Sequence, residues 1–365
     1  MRHLLITLLC FMATLVMQAQ RYLGGDISLL PTYEAAGTKY YNDKGREMPL
    51  MKLVKKQGGW NTMRVRLFVD PQYASSEHKS EGVLQDLDYV VKLGRKIKSE
   101  GFKLMLDLHY SDTWADPAKQ FMPQRWLDTP VKVLPDSVYR YTADVLRAME
   151  KAGAMPDFIQ VGNEISYGMM WNAGKIDPCK DDNWDMFVSL LKSGVRACRE
   201  VCPDAKIVIH TERAGEWAAT KGFYERLTDR FNVDYDIIGL SYYPMWHDRL
   251  SVLGATLDSL AVLFPAKKVM IVETAFYYSH ENDVWIKEAD RHGELYPISP
   301  EGQAVFTREL VDELKRHSNV TGLLWWFPEE NACGNNVIKS WINRGLFDNR
   351  TGRVLPALKE LSRFK

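Results

Sequence analysis

Two glutamates occupy positions from which a pair of carboxyl groups could work together. Glu164 ends the stretch at residues 157–164 (DFIQVGNE), where Phe158, Ile159 and Val161 read as a short buried strand that closes on the polar pair Asn163 and Glu164. Glu273 ends a second apolar run, at residues 269–274 (VMIVET), far along the chain. In such a pair one carboxyl group gives a proton while its ionised neighbour attacks carbon, and a glycosidic bond is cleaved with retention when the two stand roughly 5–5.5 Å apart. The acid must hold its proton at working pH. Burial or a like charge has to raise one pKa, and a cation or hydroxyl has to lower the other. On this reading Glu164 is the acid/base and Glu273 the nucleophile, with Asn163 set to hydrogen-bond a sugar 2-hydroxyl.

Other residue types along the chain suit the same chemistry. In residues 60–68 (WNTMRVRLF), alternation puts Thr62, Arg64, Arg66 and Phe68 on one face. Arginines inside a strand are costly unless paired, and Arg66, nearer the C-terminal end, is the expected partner of a carboxylate. Residues 109–117 (HYSDTWADP) bring His109, Tyr110, Asp112, Trp114 and Asp116 onto one loop, a density of polar and aromatic groups that a binding site uses. After Glu164, Trp171 offers either a sugar-stacking face or core packing. His210, Glu212 and Arg213 follow a further strand, and Glu212 competes with Glu273 for the nucleophile's role. Tyr242 and Tyr243 precede Pro244 and Trp246, where a phenol could hydrogen-bond an ionised carboxylate. One of Trp325 and Trp326 should floor a sugar site. Asp26 reads equally as a supporting hydrogen-bonding group or as a turn cap.

The elements that must position these groups repeat as strand followed by helix or loop. Strands are predicted at residues 22–30, 60–68, 102–108, 157–164, 205–211, 236–242, 268–273 and 322–327. Helices are predicted at 83–100, with Leu84, Leu87, Val91 and Ile97 as its apolar face, at 138–152, and at 184–202 with an interruption at Gly194. Strands alternating with helices over this length imply an α/β fold, a single (β/α)8 barrel, in which catalytic groups sit at the C-terminal ends of the strands.

Lys and Arg together number 47, as do Asp and Glu, so the net charge is zero and nucleic acid is not an expected partner. Aromatic residues make up 12% of the chain, with 11 Trp and 17 Tyr, a supply that suits both sugar platforms and core packing. Residues 1–19 read as a signal peptide: a basic start at Arg2 and His3, an apolar run from 4 to 16, and a cleavage point after Ala19. The run is too short for a membrane span, so the mature chain, residues 20–365, is expected to be exported to the periplasm, the cell surface or the medium as a monomeric catalytic domain with no span of its own. Cys10 follows Leu9, where a lipoprotein signal would have a small residue, so no lipid anchor is expected. Cys179, Cys198, Cys202 and Cys333 would remain. Pairing is open to them in an oxidising compartment, although residues four apart on a helix cannot be bridged without distortion.

Taken together, GGDISLLPTYEAAG, NTMRVRLFVDP, LDLHYSDTWADPAKQ, VGNEISYGMMW, GLSYYPMWH, VETAFYY and GLLWWFPE resemble glycoside hydrolase family 53, the endo-β-1,4-galactanases of clan A, from about residue 22 to the C-terminus. The resemblance implies a retaining enzyme without a cofactor. Its partners would be β-1,4-galactan, as in arabinogalactan type I and pectin side chains, and the galacto-oligosaccharides it releases. It also supports Glu164 as acid/base and Glu273 as nucleophile, with Arg66, His109, Asn163, Tyr242 and Trp326 as neighbours of the cleaved sugar. Some bacterial relatives hold a structural calcium in the loops after strands seven and eight. Here residues 279–297 carry Asp283, Asp290 and Glu294 but no compact alternating run of oxygen ligands, so no metal is expected. The competing readings are another clan A enzyme of mannanase or cellulase type and a non-catalytic glycan-binding barrel. A metal-dependent barrel hydrolase is disfavoured because no His-x-His closes the first strand.

Overall fold

In a computed structural model, which describes residues 20–281, 295–331, 337–338 and 340–365, eight parallel strands close on themselves in chain order. They are β1 (Tyr22–Asp26), β2 (Thr62–Leu67), β3 (Lys103–Leu108), β4 (Phe158–Val161), β5 (Lys206–Thr211), β6 (Ile237–Ser241), β7 (Lys268–Glu273) and β8 (Val320–Trp326). A helix follows each: α1 (Leu50–Gly58), α2 (Leu87–Ser99), α3 (Leu134–Lys151), α4 (Trp184–Val201), α5 (Trp217–Glu225), α6 (Leu250–Leu263), α7 (Pro300–Arg316) and α8 (Ala357–Leu361). The architecture is a single (β/α)8 barrel, as alternating strand and helix patterns require.

Period-two alternation explains how the barrel sorts its side chains. Met63, Val65, Leu67, Leu104, Leu106, Ile207 and Ile209 belong to the main core, which also takes in buried helix residues such as Leu93 and Leu190. Met105, Phe158, Val208, Ile237, Met270, Val272 and Leu324 form a separate cluster that plugs the barrel interior. One pleat further along, the inward positions turn polar: Asp26, Arg64, Asp107, Gln160, His210 and Ser241 are all buried. Glu273 would fall on the outer face by strict alternation after Val272. The β6–β7 register slips there, with Leu240 opposite Ile271 and Ser241 opposite Glu273, and this irregularity re-aims Glu273 into the mouth.

Several predicted boundaries shift for local reasons. Chain 27–30 leaves β1 and enters a short helix, Leu30–Ala35, instead of extending the strand. The Asp86 side chain accepts the Tyr89 N–H, so α2 begins at Leu87; it buries Ile97 of the expected stripe together with Val90, Leu93 and Gly94, while Leu84, Leu87 and Val91 pack half-buried against the core. Gly194 does not interrupt α4. A Cβ there would stand 2.7 Å from the Tyr110 hydroxyl, so the glycine admits that ring against the helix. Cys179, Cys198 and Cys202 are free thiols. Residues 1–19, where a signal peptide is expected, Cys333, and Asp283, Asp290 and Glu294 lie outside the described residues. Among the described residues no helix is long and apolar enough to cross a membrane.

Candidate active site

The C-terminal ends of the strands surround a cleft of about 420 Å³ whose lining includes Glu164, Glu212 and Glu273 together with Arg64, Arg66, His109 and Asn163. Glu273, 6% exposed, is held from two directions. Arg64 Nη2 lies 2.8 Å from its Oε1, and the Tyr243 hydroxyl donates to its Oε2 at 3.1 Å. Arg64 is itself fixed by Asp26 and Asp107, each at 2.8 Å, and donates to the Asn163 side-chain oxygen at 2.8 Å. These charge-assisted contacts balance the cost of placing a guanidinium where water cannot reach. Burial raises the Asp26 pKa, but Arg66 and Arg64, with two hydrogen bonds from Ser28, outweigh it and hold the group below its ordinary value. Asp26 therefore serves both roles expected of it, anchoring the arginines and closing a turn onto Ser28.

Among the described residues no cation is paired with Glu164. Its backbone sits in the left-handed region (φ 48°), a conformation that costs a non-glycine residue on the order of 1 kcal/mol and turns the side chain into the mouth. Oε1 accepts the Ser241 hydroxyl at 2.6 Å, and Ser241 in turn meets His210 Nε2 at 2.8 Å. Burial, with Arg64 adding to it, pushes the His210 pKa well down. The neutral ring thus links Ser241 at Nε2 to Gln160 and Asn163 at Nδ1, at 3.1 and 3.0 Å. Burial raises the Glu164 pKa well above the ordinary carboxyl value, and the charges of Glu273 and Glu212 raise it further. Burial raises Glu273 as well, but Arg64 opposes it. Of the two, Glu273 ionises first, and its charge then helps Glu164 keep its proton.

The third carboxylate, Glu212, lies at the end of β5. Burial pushes its pKa up to about 7 in spite of Arg213, whose Nε stands 2.9 Å from Oε1. Indole rings wall the cleft, with Trp114, Trp246, Trp326 and Trp341 all contributing to the lining. Trp326 and Trp341 meet edge to face at 5.9 Å between centroids. Trp326 is thus the tryptophan that faces the mouth, whereas Trp325 points outward and donates to the Arg344 carbonyl.

Not every predicted site residue reaches this cleft. His109, Asn163, Trp114, Trp326 and Arg66 line it. Arg66, however, is ion-paired with Asp26 at 3.0 Å and stacked on Trp114 at 4.7 Å, and Arg64, one pleat deeper, makes the contact with Glu273 expected of it. Tyr242 is outside the lining. Its hydroxyl donates to the Asp248 carbonyl at 2.8 Å, and the neighbouring Tyr243 supplies the phenol. Asp112 is spent on loop backbone, accepting the Asp70 and Gln124 N–H groups at 2.9 and 2.7 Å. Trp171 lies outside the lining too, its indole N–H on the Tyr167 carbonyl at 2.9 Å and the Lys175 ammonium 4.2 Å from its ring centre. His210 lies beneath the floor and reaches the Glu164 carboxyl through Ser241, while its Nδ1 stands 3.4 Å from the Glu164 backbone nitrogen. Sequence reasoning missed Asp107, Gln160 and Ser241. Their signal was a polar residue at an inward position in an otherwise apolar run.

A closed barrel whose strand ends hold one carboxylate bound to a guanidinium and another kept protonated defines a (β/α)8 glycoside hydrolase. Comparison with known proteins narrows the class. The chain belongs to glycosyl hydrolase family 53, whose profile matches residues 22–361. It is 33% identical over 355 residues to a probable arabinogalactan endo-β-1,4-galactanase A of Aspergillus fumigatus, covering 93% of this chain and 94% of that one. An arabinogalactan endo-β-1,4-galactanase of Thermothelomyces thermophilus is 30% identical over 354 residues, 94% of this chain and all of the relative. Among solved structures, the Ignisphaera aggregans family 53 catalytic domain superposes with a TM-score of 0.84 at 31% identity, covering 94% of this chain and 96% of that one.

Proposed function

We propose that this protein is an endo-acting β-1,4-galactanase that cleaves by double displacement with retention of configuration. The observation that carries the mechanism is the asymmetry of the carboxylates: the Glu273 carboxyl contacts Arg64 and Tyr243, whereas the Glu164 carboxyl, among the described residues, accepts the Ser241 hydroxyl and faces two like charges. In the first step ionised Glu273 attacks the anomeric carbon while Glu164 gives its proton to the departing glycosidic oxygen. In the second, Glu164 takes a proton from water, which displaces Glu273 and restores both groups. Asn163 presents an amide to the cleft, its side-chain oxygen fixed by Arg64 and one N–H by the Ala115 carbonyl at 2.8 Å. That leaves a second N–H for a sugar hydroxyl. Family membership and the naming of the relatives support β-1,4-galactan as substrate, the polymer of arabinogalactan and pectin side chains.

The apolar run within residues 1–19 supports export, because a polysaccharide too large to cross a membrane is met outside it. The test is product analysis on linear β-1,4-galactan beside mannan, xylan and cellulose, with Glu164→Gln as the blank. Oligosaccharides released from galactan alone, and lost in the variant, are the expected result. Release from mannan or cellulose would keep the mechanism and discard the substrate.

A further inference from the structure

Glu164 works from an unfavourable backbone. Gly162 and Glu164 both have positive φ, 87° and 48°, so the chain turns sharply on each side of Asn163. The Asn163 and Glu164 carbonyls lie beyond the β3–β4 ladder, which ends at Val161. A glutamate holds a left-handed conformation only where its surroundings impose it.

Gln120 supplies that constraint. It closes the stretch LDLHYSDTWADPAKQ in the loop between β3 and α3, is 1% exposed, and takes no part in the double displacement. Its Nε2 donates to the Asn163 carbonyl at 2.8 Å and to the Glu164 carbonyl at 3.1 Å, with the Asp116 carbonyl further off at 3.4 Å. Reversed, the amide would set its oxygen against carbonyl oxygens, so its orientation is fixed. Oε1 is left buried without a hydrogen-bond partner, and the side chain forgoes that bond to keep the other two.

The loop that carries Gln120 is anchored on both sides of the turn. Before Gln120, the Ala115 N–H donates to His109 Nδ1 at 3.2 Å, and His109 Nε2 meets Asp107 at 2.9 Å. After it, the Trp171 N–H donates to the Gln120 carbonyl at 2.7 Å, and Phe121 pairs with Trp171 in a β-bridge. The amide therefore presses on the turn from fixed backbone. The Asn163 side chain is held separately, by Arg64, Gln160 and the Ala115 carbonyl, so a fault at Gln120 falls on Glu164.

We propose that Gln120 is a positioning residue for the acid/base: by holding both carbonyls it keeps the Glu164 turn left-handed and its carboxyl in line with the departing glycosidic oxygen. The inference rests on the retaining-glycosidase reading and adds a residue that acts on proton transfer through the backbone.

Gln120→Met keeps the length of the side chain and removes its N–H groups. It is compared with Glu164→Gln on two substrates, the β-1,4-glycan that the wild type cleaves and the 2,4-dinitrophenyl glycoside of the matching disaccharide, whose leaving group departs without a proton. Gln120→Met should lose about 10–100-fold in kcat/KM on the polymer, part of the roughly 10²–10⁴-fold that a positioned proton donor contributes. Its kcat/KM on the aryl glycoside should be kept, which also certifies its fold. On that substrate kcat should fall, because water still needs a base in the second step. Azide needs none. It bonds to the anomeric carbon as Glu273 leaves as the carboxylate, so it should restore kcat and yield the β-glycosyl azide. A merely structural fault would lower kcat/KM on both substrates alike and would not respond to azide. That result, or no loss on the polymer, overturns the role given to Gln120. Glu164→Gln should show the same split more strongly; its absence there overturns the acid/base reading as well, so the two failures are distinguishable. A wild type that cleaves no β-1,4-glycan overturns both.

Discussion

Replacing Tyr243 by Phe removes one hydroxyl and leaves the ring in place. That hydroxyl donates to Glu273 Oε2 at 3.1 Å in a pocket where the carboxylate is 6% exposed, and water does not readily take its place. A hydrogen bond to a charged group is worth about 1.5–3 kcal/mol. At about 1.36 kcal/mol per pKa unit, its loss should raise the Glu273 pKa by roughly one to two units. Glu273 has to be ionised to attack, so the acid limb of the kcat/KM profile on galactan should move upward by that amount. The alkaline limb, set by the proton on Glu164, should stay within a few tenths of a unit. Tyr242→Phe is the control. Its hydroxyl serves the Asp248 carbonyl, so it should cost about 0.5–1.5 kcal/mol of stability and leave both limbs where they are. An unmoved acid limb in Tyr243→Phe, or a shift in Tyr242→Phe instead, refutes the electrostatic reasoning.

Glu164→Gln should unfold at higher temperature than the wild type at neutral pH. The folded-state pKa of Glu164 lies above its ordinary 4.5, so its stabilising contribution is present below that value and is lost as pH rises through the folded pKa. The thermal advantage of the variant should vanish below about pH 4 in calorimetry, and an advantage that persists there contradicts the assignment. Arg64→Met strips the shared cation from Asp26, Asp107 and Glu273 and should cost about 3–5 kcal/mol in urea unfolding at pH 7. Arg66→Met breaks a single ion pair, to Asp26, and should cost less, so equal losses would count against the central place given to Arg64. Asp112→Ala deprives two loop N–H groups of their acceptor and should lower stability by about 1–3 kcal/mol. Its KM should change little, and a large rise in KM with unchanged stability would return Asp112 to the substrate.

Much of this was legible in the residues. Eight apolar runs of strand length, alternating with helical or loop segments, allow little besides a barrel, and Glu164 and Glu273 stand where such runs end. What could not be read was the choice between near neighbours on one face. Arg64 and Arg66 point the same way, but the deeper guanidinium is the one that spans Asp26, Asp107 and Glu273. Tyr242 and Tyr243 exchange roles because the β6–β7 register slips beside them, which no periodicity records. The polar loop at 109–117 reads as uniformly functional, yet a buried loop must also satisfy its own backbone, and Asp112 does that. The start of α2 turned on one capping aspartate. Asp107 in FKLMLDL and Gln160 in DFIQVGNE were visible as polar breaks in buried strands, and such breaks at the barrel mouth are the sequence signal for the network beneath the carboxylates.

The central claim is that Glu273 forms the bond to the sugar, and the most direct measurement is to trap that bond. A 2-deoxy-2-fluoro galactobioside with a good leaving group slows both steps and lets the glycosyl–enzyme accumulate. Proteolysis and mass spectrometry should then find one sugar adduct, on the peptide carrying Glu273. An adduct on Glu212, or turnover with inverted configuration and no adduct at all, contradicts the account.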